Sequence, residues 1–222
     1  AALNTPIPVY DNFCAGSRDH WTETLAAVLQ EMMLRSLDQY TDAIQDHFGR
    51  ENINQMAQEL IGLQDSLLAH RFGCGGASNN PPNRSTAADL AWIYRQIAVG
   101  GILTEQEREI MSSLMLGPPW PKLERVIRDE GAQLGLDADT VQGFIDGIDL
   151  LYKAGWLAPW YTLGGYLHLP APACGGPEWE YAFGIFQVQA SWRDEDFNVS
   201  DLVPVVLRSE IRRALEATAA GC

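Results

Sequence analysis

From Trp21 onward apolar residues recur at intervals of three and four. Trp21, Leu25, Val28, Leu29 and Met32 form one stripe, which predicts a helix opened by Asp19. A second stripe, Tyr40, Ala43, Ile44, His47 and Phe48, predicts a helix ended by Gly49, with His47 read as a core histidine. A third, Ile53, Met56, Ala57 and Leu60, ends near Gly62. Ahead of them, residues 1–17 contain Pro6, Pro8, Asn12 and Gly16 and read as loop. Leu90, Ile93, Tyr94 and Ile97 resume the helical spacing behind Thr86, with Asp89 placed to complete a capping box, and stop at Gly100 and Gly101. Thr104 and Glu107 form a second box that opens a helix to about Met115, closed by the run GPPWP. Further helices are predicted over 122–133 and 137–148, the second acidic, thinned by Gly143 and Gly147, and read as an insertion.

The period then changes. Residues 149–169, DLLYKAGWLAPWYTLGGYLHL, are two apolar runs separated by a turn at Pro159 and Gly164-Gly165, and predict a strand hairpin with Lys153 inside its first arm. Residues 180–192 are rich in aromatic and β-branched side chains and predict a third strand, with a bulge at Gly184. A closing helix follows, capped by Ser200, with Val203, Leu207, Ile211, Ala214 and Leu215 turned inward. The expected architecture is one α+β domain over 1–222, a mainly helical lobe over 19–150 and sheet hairpins with a C-terminal helix over 151–222.

With 222 residues, 46% of them hydrophobic, the chain can bury a proper core. No apolar run reaches the length that spans a bilayer, so no membrane span is predicted. A net charge of -14 speaks against a nucleic-acid partner, whose phosphates call for clustered Lys and Arg. The four cysteines, Cys14, Cys74, Cys174 and Cys222, fit two disulfides in an oxidising compartment or four buried thiols; their spacing matches no zinc motif. The chain opens at Ala1-Ala2-Leu3 without a basic and apolar leader, as a processed secreted chain would, so the expected location is extracytoplasmic or secreted. No metal and no cofactor are expected.

Lysine is costly to bury without a partner. Lys153 either faces solvent from an edge strand, where it discourages aggregation, or serves a site. Lys153-Ala154-Gly155 resembles the third box of the penicillin-recognising serine hydrolases, the class A β-lactamases and DD-peptidases, in which a strand carries Lys, then Thr or Ser, then Gly. Ser36-Leu37-Asp38, heading a helix that ends in glycine, resembles their second box, Ser-x-Asn. The alternative for Ser36 and Asp38 is an ordinary helix cap. The helix after Ser85-Thr86 resembles a structural helix of the same family.

The resemblance implies a β-lactamase/transpeptidase-like fold, an antiparallel sheet flanked by helices, and an acyl-transfer site. It assigns catalytic roles to Lys153 and Ser36 and substrate binding to Asp38, Ala154, Gly155 and the backbone N–H of Leu157. The aspartate at 38 accepts a hydrogen bond from a substrate amide but cannot donate one. Class A enzymes carry a deacylating glutamate in the loop that 72–85 matches; this loop holds no acid, which implies an acyl-enzyme that persists or is cleared another way. The family's nucleophile is a serine three residues before a lysine, and the two lysines here, Lys122 and Lys153, have Pro119 and Leu150 at that position. The N-terminal strands and nucleophile helix are therefore expected to be absent from this chain.

Two readings stand open: a processed or partial hydrolase whose serine lies on an N-terminal fragment of the same precursor, or a non-catalytic cleft for cell-wall or peptide recognition. In both, the expected partner is a small-molecule or peptide substrate resembling a β-lactam or peptidoglycan. Trp120, Trp156, Trp160 and Tyr161 are candidates for a recognition platform. A hydrolase built on Ser17 and His20 lacks a residue to orient the pair. Asn83-Arg84-Ser85 and Asn198-Val199-Ser200 are sequons in a eukaryotic context.

Overall fold

The computed structural model describes residues 2–11, 18–72, 82–157, 160–170, 179–188 and 199–220. The four cysteines, Ser17, Asn198, Pro159, residues 73–81 of the long loop and the expected end of the third strand at 189–192 lie outside them, as do the side chains of Trp156 and Trp160.

The chain opens with an antiparallel ribbon, β1 (Pro6–Tyr10) paired with β2 (His20–Thr24). A loop and a helix are expected there. A strand forms because Ile7 and Val9 alternate with prolines and are both fully buried, and proline is tolerated in a ribbon where its missing N–H would face away from the partner. Helix α1 (Leu25–Arg35) therefore begins later than expected, and Thr24, not Asp19, accepts the Ala27 N–H at its head. Helix α2 (Asp38–Phe48) packs with α1 and the ribbon around Ile7, Val9, Leu25, Val28, Tyr40 and Ala43. His47 is not in this core. It is exposed and stands edge-on to Phe48.

Helix α3 (Arg50–Met56) runs into a π-helical turn, Ala57–Ile61, that ends at left-handed Gly62. The wider turn changes the angular spacing of the third apolar stripe, and Met56 and Leu60 stay more than half exposed. Helices α4 (Ala87–Val99), α5 (Glu105–Met115), α6 (Pro121–Gln133) and α7 (Ala138–Asp146) follow. The box at Thr104 and Glu107 forms in both directions. The one at Thr86 forms in half: Thr86 accepts the Asp89 N–H, while the buried Asp89 carboxylate takes the N–H groups of Gln64 and Asp65 and the Ser66 hydroxyl. Burial works against that charge, but these donors outweigh it and hold Asp89 below the usual carboxylate range. Helix α7 packs into the largest core, where Val141, Phe144 and Ile145 are buried with Leu123 and Ile127 of α6.

Strands β3 (Asp149–Leu157), β4 (Trp160–Leu169) and β5 (Trp179–Val188) form one antiparallel sheet in that order. Ribbon β1–β2 does not join it. Register runs unbroken through Gly184, so no bulge forms there. Alternation sorts the sheet into two faces. Leu150, Leu163, Leu167 and Leu169 point at α6, α7 and the C-terminal helix α9 (Arg208–Ala219), which a short helix α8 (Leu202–Val206) precedes. Leu151, Tyr166 and Ala182 point the other way, toward Tyr94 and Ile97 of α4 and Met115 of α5. Ser200 lies in a separate 3-10 turn, Val199–Asp201, and caps neither C-terminal helix.

Candidate active site around Lys153

Lys153, Gly164 and Gly184 lie opposite one another across the three strands, so they share a face. The face is the one α4 covers. A Cβ on Gly164 would come 2.5 Å from the Tyr94 ring, and one on Gly184 would come 2.1 Å from the Ala87 carbonyl oxygen. The two glycines thus form a trough that lets α4 lie against the sheet. Lys153 stands at its open end, on the edge strand.

From there the Lys153 ammonium donates to Ser36 Oγ, a partner 117 positions earlier, and to the Ala154 carbonyl at 3.0 Å. Burial pulls the amine below the ordinary lysine range, because the site favours the neutral form. Ser36 ends α1 in the left-handed region (φ 54°), the only non-glycine residue among those described with positive φ. That conformation costs on the order of 1–2 kcal/mol. Ser36 is thus the C-cap of α1 and not the N-cap of α2, a position held by Leu37, which makes no side-chain cap bond. The turn instead delivers the Ser36 hydroxyl to the lysine. Asp38 opens α2 two residues on and is exposed, where the helix N-terminus favours its charge.

The remaining expected residues separate by strand parity. The Gly117 N–H reaches the Leu150 carbonyl at 3.0 Å, so Leu150 turns its backbone to the free edge of β3. Alternate residues share that direction, which sends the N–H and C=O of Tyr152, Ala154 and Trp156 outward. Ala154 therefore offers the edge its backbone, while its side chain belongs to the opposite face, with Leu163 and Ile185. Gly155 shares the lysine's face, beside Thr162. Leu157, expected to offer its N–H to the site, lies at the hairpin tip opposite Trp160 with its amide turned toward β4. The outward amide is that of Trp156.

Next to the lysine pair, α2 grips the root of the long loop. Asp42, one turn beyond Asp38, is buried and accepts the Phe72 N–H at 3.1 Å. Burial pushes its carboxyl above the usual range, partly offset by the Phe72 amide and Arg71. Arg71 is ion-paired with Asp46. His70 accepts the Asn83 N–H at Nε2, which leaves Nδ1 to donate to the Arg71 carbonyl. Asn83 in turn accepts the Ala69 and His70 amides and donates to the His70 carbonyl, so the side chain of the sequon asparagine is tied to the 69–70 backbone.

Of the candidate platform residues, Trp120 is committed to the core. Trp120 is buried and packs edge-on against Tyr152 and Phe183 in the main core. His20 is exposed, against the Arg18 carbonyl and the Tyr10 ring. No helix among the described residues is long and apolar enough to cross a membrane.

An antiparallel sheet clasped by helices, with a lysine on its edge strand meeting a serine from a helix junction, defines a β-lactamase/transpeptidase-like fold. The beta-lactamase enzyme family matches residues 14–162, more than half of the chain, and the chain belongs to that family, among the penicillin-recognising serine hydrolases. It is similar to the solved structure of PBP-A (18% identity, TM-score 0.64, covering 99% of this chain and 73% of that one) and to a point mutant of PBP-A in an acyl-enzyme complex with penicillin G (18%, 0.64, 99% and 74%). It is also similar to a β-lactamase from Sphaerobacter thermophilus DSM 20745 (16% identity, TM-score 0.67, covering 94% of this chain and 74% of that one). No curated protein matches the sequence. The chain is thus a β-lactamase-related hydrolase in general terms.

Proposed function

We propose that this chain carries the substrate-facing edge and the proton-handling pair of an acyl-transfer hydrolase acting on lactam or peptide amides. The observation that carries the reading is the contact of the Lys153 ammonium with Ser36 Oγ. With the lysine donating to its oxygen, the Ser36 hydroxyl keeps its own hydrogen for the nitrogen that leaves the substrate carbonyl. Lys153 then replaces the proton Ser36 gives up. A partly buried amine held below its ordinary pKa is suited to that exchange, since it gives up and regains a proton at lower pH than a solvated lysine. Asp38 accepts from a substrate amide, and the outward backbone of Ala154 and Trp156 lies along a substrate set against β3.

The attacking serine comes from a segment outside these residues, as an N-terminal part of the same precursor. The outer edge of β5, which no described strand covers, is a template on which such a segment would pair. The protein works outside the cytoplasm, with Cys74 and Cys174 oxidised; labelling of both as free thiols in unreduced material would contradict this. A second reading, a non-catalytic binding cleft, is favoured by Ala154, which lacks the hydroxyl of the family's third box.

Intact mass of the native preparation, before and after exposure to a reactive penicillin, separates the readings. A second polypeptide that gains the drug's mass supports the hydrolase. A lone 24.5 kDa species of unchanged mass that still binds penicillin reversibly supports the cleft. Absence of any binding would overturn both.

A further inference from the structure

Tyr94 was legible in the sequence only as one member of a helical stripe. In the structure it is buried, 7% exposed, and its ring occupies the space a side chain at Gly164 would fill. Gly164 is the cross-strand partner of Lys153. Side chains opposite one another in an antiparallel pair leave the sheet on the same face, about 5 Å apart, so the Lys153 side chain rises beside the Tyr94 ring. Burial pushes the Tyr94 hydroxyl far above its ordinary range, offset in part by the nearby backbone amide of Lys153.

We propose that Tyr94 is a positioning residue for Lys153: seated by α4 in the Gly164–Gly184 trough, its ring is the dry wall along which the lysine rises toward Ser36. The trough fixes the wall. Ala87 and Leu90 of α4 sit over Gly184, and one helical turn further on Tyr94 sits over Gly164. Any side chain at either glycine would lift α4 and draw water in along the lysine stem.

The surroundings agree. Helix α5 meets this face through Met111 and Met115, which carry no charge. Ser36 comes from the α1–α2 junction, Thr162 from β4, and neither is ionised. Among the described residues burial alone accounts for the weakened basicity of Lys153. The wall therefore has a direct consequence: it sets how readily the lysine releases its proton.

The inference rests on the reading of Lys153 as the proton-handling group, and its test is independent of activity, so the two can fail separately. The chain has two lysines, and Lys122 on α6 serves as an internal reference. Lysine side-chain signals are followed by NMR as pH rises in the unmodified chain and in Tyr94→Leu, Tyr94→Phe and Gly164→Ala. The expected result is an upward move of the Lys153 midpoint, toward ordinary lysine, in Tyr94→Leu and in Gly164→Ala. Lys122 should not move, and Tyr94→Phe, which keeps the ring, should titrate as the unmodified chain does. Gly164→Ala answers the question if Tyr94→Leu does not fold, and the reverse. A Lys153 midpoint unmoved in a folded variant overturns the proposal. So does an equal move at Lys122, or a Tyr94→Phe midpoint that moves as far as that of Tyr94→Leu.

Discussion

The two faces of the three-stranded sheet are made by the same hairpins and meet their helices in opposite ways. Toward α6, α7 and α9 the sheet presents Leu150, Leu163, Leu167 and Leu169, all at most 2% exposed, interlocked with Leu123, Ile127, Ile211 and Leu215. Behind that layer Glu130 of α6 is held by Arg208 and Arg212 of α9. Toward α4 the sheet presents two glycines and a lysine in one row. The first face gains stability from apolar area. The second gives up side-chain volume so that a helix can lie close and leave an amine partly dry at the edge. Division of this kind lets a site be altered without unfolding the domain that carries it.

The largest contrast should appear between Leu167→Ala and Lys153→Met. Leu167 is fully buried, and its truncation should cost about 3–5 kcal/mol in urea unfolding, the range for a leucine removed from a rigid core. Lys153→Met should change stability by about 1 kcal/mol or less, as it removes a half-buried charge and keeps the stem. Equal losses would erase the distinction between the faces.

Glu130→Gln should cost less, about 2 kcal/mol, because the two arginines are roughly half exposed and can regain water. Burial raises the Glu130 pKa, but the hydrogen bonds from Arg208 and Arg212 outweigh it and leave it lowered. A carboxyl depressed in the fold adds stability above its unfolded pKa and loses it as pH falls through the folded value. The acid limb of the stability profile should therefore flatten in Glu130→Gln. A limb of unchanged slope would remove Glu130 as its source.

Asp42→Asn should have the smallest effect and the opposite sign. The raised pKa of Asp42 means that its charge is a penalty in the folded state. The penalty grows as pH rises from the ordinary aspartate range through the raised folded value, and it is absent below both. Asparagine keeps an oxygen for the Phe72 N–H and drops the charge. A gain of about 1 kcal/mol at pH 7, vanishing in acid, is expected from thermal unfolding. A loss at pH 7 would show that the ion balance with Arg71 dominates instead.

Much of this was legible in the sequence, and the limits have physical causes. The helical periods of α1, α2, α4 and α5, the Thr104 box and the hairpin around Lys153 are local patterns, and local patterns survive folding. Ser36 and Lys153 could be paired through their resemblance to family boxes, although no spacing links residues 117 apart. Strand β1 was hidden because five residues with two prolines carry too little alternation to read. Asp42 and Asp89 look like surface acids until distant amides, at Phe72 and at Gln64 and Asp65, are seen to need acceptors. The direction of the Leu157 amide depends on which β3 carbonyls meet Gly117, a tertiary contact. Gly164 and Gly184 likewise read as turn and bulge residues until α4 is laid across them.

In the proposed acyl-transfer reading Lys153 and Ser36 form the working pair on the open face. Its most direct test is penicillin G binding by titration calorimetry to the unmodified chain, Lys153→Met and Ser36→Ala, with folding stability measured on the same samples. Saturable binding is expected, weakened by about tenfold or more in Lys153→Met and in Ser36→Ala, about 1.4 kcal/mol per decade, while both variants remain folded. Unchanged affinity in a folded Lys153→Met chain would contradict it.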